Sequence, residues 1–137
     1  MSELVFIDTS ALLALAGLRD QYHEAALALA RRHLGTGGAW VSTSLVMAEL
    51  HALLLKRAGV DRARRVVTAL LDDPAYEWMG PSADLVRAAA SAWLERYTDQ
   101  RFTLTDAVSF EVMRQKKVTQ AFAFDAHFVT AGYTLVA

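Results

Sequence analysis

Leu4-Val5-Phe6-Ile7-Asp8-Thr9-Ser10 is a continuous apolar run that stops on an acid and two hydroxyls. Four apolar residues in a row without alternation read as a strand buried on both faces, the pattern of a parallel sheet. Working outward, the same grammar repeats. Ser10 to Ala16 reads as a short helix ended by Gly17, and Asp20 as the N-cap of a helix from Gln21 to about Leu34. Ala39-Trp40-Val41 is a second strand. Ser44 caps a helix to about Ala58, stopped by Gly59, and Asp61 opens another to about Leu71. Tyr76 to Met79 is a brief strand. Ser82 begins a long helix to about Tyr97, and Thr103 or Thr105 begins one ending near Lys117. Gln120 to Phe124 is a strand that stops on Asp125, and Tyr133 to Val136 is the last. Strands alternating with helices predict right-handed βαβ units and an α/β fold, with a mostly parallel sheet covered on both faces.

The whole chain sets the bounds. Its 137 residues suit one domain spanning 1–137, and no linker, repeat or low-complexity segment divides it. It is 54% hydrophobic, yet no apolar run reaches the roughly 20 residues of a membrane span. Met1-Ser2-Glu3 supplies no basic region ahead of an apolar stretch, so a signal peptide is not expected, and the cytoplasm is the expected compartment. There is no cysteine, which excludes disulfides and thiolate metal sites. The net charge of −1 is not that of a strongly basic nucleic-acid binder; any such ligand needs a local basic surface or a metal ion between two anions.

In parallel sheets, ligands sit beyond the carboxyl ends of the strands, where strand order reverses. Asp8 and Asp125 each follow an apolar strand and are expected at one rim. Asp8 alone reads equally well as a cap, and Thr9 and Ser10 could orient its carboxylate. Glu49 falls between Leu45 and Leu53 on an apparently apolar helix face. Such a glutamate needs compensation, either a salt bridge such as Lys56 or a bound cation. His51, two residues away, does not face it. Asp106 in Thr103-Leu104-Thr105-Asp106 resembles a capping box with Asp in place of Glu. Asp125 reads as a strand-end turn or a site acid, and His127 as a packing group or a ligand. Asp99, in Thr98-Asp99-Gln100-Arg101, suits a turn or a supporting role.

The order of these motifs is specific. Phe6-Ile7-Asp8-Thr9-Ser10 comes first, then Ser44-Leu45-Val46-Met47-Ala48-Glu49-Leu50, then Leu104-Thr105-Asp106-Ala107, then Ala123-Phe124-Asp125-Ala126-His127-Phe128. This resembles the PIN domain, and within it the VapC-like ribonuclease toxins of toxin–antitoxin pairs. The resemblance covers essentially the whole chain. It implies a three-layer α/β/α sandwich with a mostly parallel five-stranded sheet. It implies Mg²⁺ or Mn²⁺ held by Asp8, Glu49, Asp106 and Asp125, and it moves Asp106 from cap to site. Ser10, Thr105, Asp99 and His127 are the supporting candidates. It implies hydrolysis of single-stranded RNA to 5′-phosphate and 3′-hydroxyl ends, a small antitoxin partner, and a homodimer. Many members carry a further acid where this chain has His127, so one or two ions are both open.

The chemistry is consistent with this. Clustered carboxylates repel, a hard divalent cation relieves them, and oxygen ligands without cysteine favour Mg²⁺ or Mn²⁺ over zinc. Two other classes are weighed. A phosphotransfer protein also has an acidic pocket in a doubly wound sheet, but Asp8 has no acidic neighbour and Ser10 stands where phosphatases place a second Asp. A non-catalytic RNA- or partner-binding scaffold would not need all four acids.

Overall fold

Burial on both faces makes Leu4–Ile7 (β1) the centre of a parallel five-stranded sheet in the computed structural model, which describes residues 3–17 and 20–136. The order is β3-β2-β1-β4-β5, with β2 at Ala39–Thr43, β3 at Tyr76–Met79, β4 at Gln120–Phe122 and β5 at Thr134–Leu135; every pairing is parallel. The chain builds outward from β1 through β2 to β3, then jumps back to lay β4 on the other side of β1. That reversal is the topological switch point, and it falls between the residues that follow β1 and β4.

Helices α1 (Thr9–Ala16), α2 (His23–Gly35), α3 (Ser44–Ala58) and α4 (Val60–Asp72) make the first two crossovers. Helix α5 (Ala83–Ala89), its π-helical continuation Ala90–Glu95 and α6 (Leu104–Lys116) make the third, and α7 (His127–Thr130) the last. Right-handed crossovers running in opposite directions along the sheet put the two helix groups on opposite faces. The core follows this division. Phe6, Phe110 and Phe128 pack together on the α6 side, with Phe110 and Phe128 edge to face at 5.1 Å, while Trp40 and Phe122 meet at 5.4 Å. All five rings are buried.

Several expected boundaries shift for local reasons. Asp20 does not cap α2 directly: its Oδ1 accepts the Tyr22 amide at 2.8 Å, and the helix starts at His23. Thr43, not Ser44, caps α3, with Oγ1 accepting the Val46 amide at 3.2 Å. Gly59, at φ +89°, turns α3 into α4, which begins at Val60, one residue before Asp61. The long helix from Ser82 does form, but its second half widens to π geometry, carrying Trp93 to a 3.2 Å hydrogen bond on buried Glu111. Strand β4 ends at Phe122 instead of Phe124, because the Phe124 amide leaves the ladder for the Ser10 hydroxyl at 2.9 Å. The reading of the N-terminus rests partly on Met1 and Ser2, which lie outside the described residues. Among the described residues no helix is long and apolar enough to cross a membrane.

Candidate metal-binding acidic site

Asp8 leaves β1 with its amide still donating to the Phe122 carbonyl of β4 at 3.0 Å, so its position is set by the last rung of the central ladder. Its own carbonyl accepts the Leu12 amide at 3.1 Å as α1 begins. Buried Ser42 on β2 donates to the preceding Ile7 carbonyl at 2.8 Å, pinning the same peptide from the other side. Asp8 is 5% exposed. Burial pushes its carboxyl up to about 7, helped by the charges of Asp125, Asp106 and Glu49 and opposed by the Thr9 amide. The four acids named from the sequence therefore act on one point at the switch of the sheet.

Each reaches it differently. Asp125 follows β4, and its Oδ1 accepts the His127 amide at 2.9 Å in an Asx turn that starts α7. Asp106 is a cap whose charge also acts on Asp8. Its Oδ2 accepts the Thr103 amide and its amide donates to Thr103 Oγ1, each at 3.0 Å, completing the capping box of α6. The same Oδ2 lies 3.0 Å from His127 Nδ1, which leaves Oδ1 facing no partner among the described residues. His127 is thus tied to the acids at both its amide and its ring, and Phe102 sets the ring edge to face at 5.6 Å.

Glu49 corrects one expectation. It is exposed, not sunk in an apolar cleft. The buried stripe of α3 runs through Val46, Met47, Leu50 and Leu54, while Leu45 and Leu53, which appeared to flank Glu49, are only half-buried. Glu49 therefore looks onto the rim from its open side, near enough for its charge to reach Asp8.

The supporting candidates divide. Ser10 bridges the strand ends: its hydroxyl accepts from the Phe124 amide and donates to Asp8 Oδ2 at 3.4 Å. Thr105 stands beside Asp106, half-buried, and its carbonyl accepts the Ser109 hydroxyl at 2.8 Å. Asp99 is exposed, meets the neighbouring Gln100 amide at 3.5 Å, and is not among the charges acting on Asp8. Thr9 gains weight instead. Its Oγ1 is the one buried side-chain oxygen or nitrogen without a hydrogen-bond partner among the described residues. A second feature was not read from the sequence: Tyr22 and Phe124 stack at the rim, a pairing across 102 positions that no local pattern announces.

Among the described residues no three His, Cys, Asp or Glu side chains close on a single point tightly enough to grip one ion. The charges of Asp125, Asp106 and Glu49 nevertheless reach Asp8. That donor set suits a hard cation that keeps several waters, takes one or two carboxylates directly and reaches the others through water. It does not suit a dehydrated tetrahedral zinc cage. The Oδ1 of Asp106, without a partner among the described residues, is a polar group such a hydrated ion would satisfy. A cavity of about 400 Å³ lies elsewhere, at the amino ends of the strands, lined by residues including Glu3, His33, Trp40 and Gln120. It holds no acid cluster, so volume and chemistry separate in this fold.

Comparison with known proteins agrees with this fold. The PIN domain family model matches residues 5–132. The chain is 34% identical over 134 residues to the 23S rRNA-specific endonuclease VapC20 of Mycobacterium tuberculosis, covering 97% of this chain and 98% of that protein. The crystal structure of M. tuberculosis VapC20, described as a sarcin-ricin loop cleaving toxin, superposes with a TM-score of 0.81 at 30% identity, over 95% of this chain and 96% of that one. VapBC2 from Rickettsia felis, solved bound to a promoter DNA fragment, aligns with a TM-score of 0.69 at 14% identity over 97% of each chain, a likeness of fold alone.

Proposed function

The chain belongs to the PIN domain family, and from that premise we propose that it is a divalent-cation-dependent endoribonuclease, the toxin of a toxin–antitoxin pair. The observation that carries the reading is Asp8: a carboxyl buried at the switch point of the sheet and held near neutrality by burial and three neighbouring acids. A buried acid under like-charge pressure is destabilising unless something compensates it, and perturbed carboxyls in this position mark functional sites.

In this reading Asp8 and the Oδ1 of Asp106 would hold the ion, and Glu49, on the open side, and Asp125 would complete its shell or orient waters. Bound Mg²⁺ or Mn²⁺ supplies charge neutralisation at the phosphate and an activated water for in-line attack. The chain's own part is to hold the oxygens in place. The β1–β4 ladder and Ser42 fix Asp8, the capping box fixes Asp106, and the Asx turn fixes Asp125. Any of the acids not bound to the ion can take the water's proton. His127 orients Asp106 through Oδ2.

The similarity to VapC20 over nearly the full length of both chains supports 23S rRNA, and the sarcin-ricin loop within it, as the substrate to test first. We further propose a small antitoxin partner, a homodimer and a cytoplasmic place of action, as the resemblance to VapC-like toxins implies. The test is cleavage of a sarcin-ricin stem-loop RNA in Mg²⁺ with mapping of the new ends. The parent is expected to cut at one position, leaving 5′-phosphate and 3′-hydroxyl ends. Asp8→Asn and Asp106→Asn are expected to lose activity by roughly a hundredfold or more, on the scale of a lost electrostatic group. Variants that cut as fast as the parent would contradict the assignment.

A further inference from the structure

We propose that the stacked Tyr22–Phe124 pair is a base-stacking platform, which receives an unpaired RNA base next to the phosphate that is cut; this rests on the ribonuclease reading above. Phe124 lies one residue before Asp125. Its amide is bonded to the Ser10 hydroxyl, which in turn touches Asp8. The Phe124 backbone is therefore held at the acidic rim by a contact that also reaches Asp8. Tyr22 lies over it with ring centroids 4.5 Å apart and planes within 5°.

The pair is built and only half covered. The Tyr22 amide is held by Asp20 Oδ1 at 2.8 Å, and the Tyr22 carbonyl accepts the Ala26 amide at 2.8 Å as α2 begins. Beneath Phe124, contacts continue inward to Phe122 at 5.8 Å and from there to Trp40 at 5.4 Å, so the aromatic column is anchored in the core. Yet Tyr22 remains 42% exposed although Phe124 covers one side of its ring. Among the described residues it is the only aromatic among the large apolar side chains left exposed; the others are Leu and Val.

A rigid aromatic surface offered to solvent beside a cluster of acids matches the chemistry of unpaired bases. Nucleobases stack on Tyr and Phe faces irrespective of their hydrogen-bonding edges, and single-strand binders use such platforms beside backbone contacts. At net charge −1 the chain has no overall cationic excess, so an uncharged grip adds to what a metal ion or a local basic surface supplies. Stacking supplies an uncharged grip, and its place beside Asp125 positions the neighbouring phosphate over the acids. Tyr22 is thus a substrate-positioning residue that does not touch the reacting atoms.

The test uses sarcin-ricin stem-loop RNAs carrying the fluorescent base 2-aminopurine at each unpaired position in turn. With the parent, emission is expected to be quenched at one position adjacent to the cut, and the Tyr22→Leu protein is expected not to quench it. In cleavage assays, Tyr22→Leu is expected to raise KM roughly tenfold or more and to lower kcat by a smaller factor, while Tyr22→Trp keeps the parent KM. Melting temperature checks that Tyr22→Leu is folded, and the quenching measured with the parent needs no variant. If the parent cuts the RNA but no position is quenched, or Tyr22→Leu cuts with the parent KM, the platform is overturned and the ribonuclease reading stands. If the parent cuts no RNA, that reading falls and the platform with it.

Discussion

Replacing Asp8 by Asn is expected to make the metal-free protein more stable, although it removes the central group of the site. The Asp8 carboxyl titrates near 3.8 in the unfolded chain and is pushed up to about 7 in the fold. The folded chain therefore holds this proton more tightly than the unfolded one. Stability falls as pH rises from about 4 to about 7, and stays low above, because the folded state then carries a buried charge facing three others. At 1.36 kcal/mol for each pH unit, the full penalty is about 4 kcal/mol, reached by pH 8, and about 2 kcal/mol at pH 5. Asn keeps the shape and the acceptor for the Thr9 amide without the charge. In EDTA at pH 8, Asp8→Asn is then expected to melt roughly 10 °C or more above the parent for a chain of this size, with the gap narrowing toward pH 4. Chemical denaturation at pH 5 and pH 8 measures the two differences directly. Adding Mn²⁺ should stabilise the parent and leave Asp8→Asn unmoved. A variant as stable as the parent, or less stable, at pH 8 in EDTA would refute the claim that Asp8 is a strained acid awaiting a cation.

Other outcomes follow from the same contacts. Metal binding must displace the Asp8 proton, so the apparent affinity for Mn²⁺ is expected to rise about tenfold per pH unit below pH 7 and to level off above it, read by calorimetry with proton release at pH 6. Glu111, fully buried on α6, is held below its usual carboxylate range by Arg114, Gln115 and the Trp93 indole; its stabilising effect is present above about pH 4.5 and is lost as pH falls through its lowered folded value. Glu111→Gln is expected to cost about 1–3 kcal/mol at pH 7, measured by urea denaturation, with the cost shrinking at low pH. Thr103→Ala removes the cap of α6 and is expected to cost about 1 kcal/mol and to slow RNA cleavage, since the same box holds Asp106.

The fold was legible wherever burial and chain punctuation left local marks. Leu4 to Ile7 reads as a strand because a central parallel strand is apolar on both faces, and every crossover helix carries a stop in Gly or Pro, or a cap in Ser or Thr. The strand ends made Asp8 and Asp125 candidates, although Asp8 alone reads equally well as a cap and Asp125 as a turn. Asp106 was not legible in this way: its capping box is real, and only the order of motifs pointed to its second role. Glu49 was placed on the wrong part of its helix face, because Leu45 and Leu53 count as apolar in a sequence but sit at the edge of the buried stripe. The π geometry after Ala89 has no breaker residue in Ala90-Ser91-Ala92 to announce it, and is fixed by the distant Trp93–Glu111 bond. The four-residue helix α7 is too short to show a period. Tyr22 over Phe124 and His127 against Asp106 are contacts between segments that only the assembled sheet brings together.

A cation at the rim is the most direct thing to look for. Crystals of the parent soaked in Mn²⁺, with data collected at the manganese edge, would locate one. An anomalous peak is expected between Asp8 and Asp106 Oδ1, roughly 2.1 Å from each directly bound oxygen. A soak that leaves those carboxylates without a peak, or puts the ion elsewhere on the chain, would contradict a cation site there.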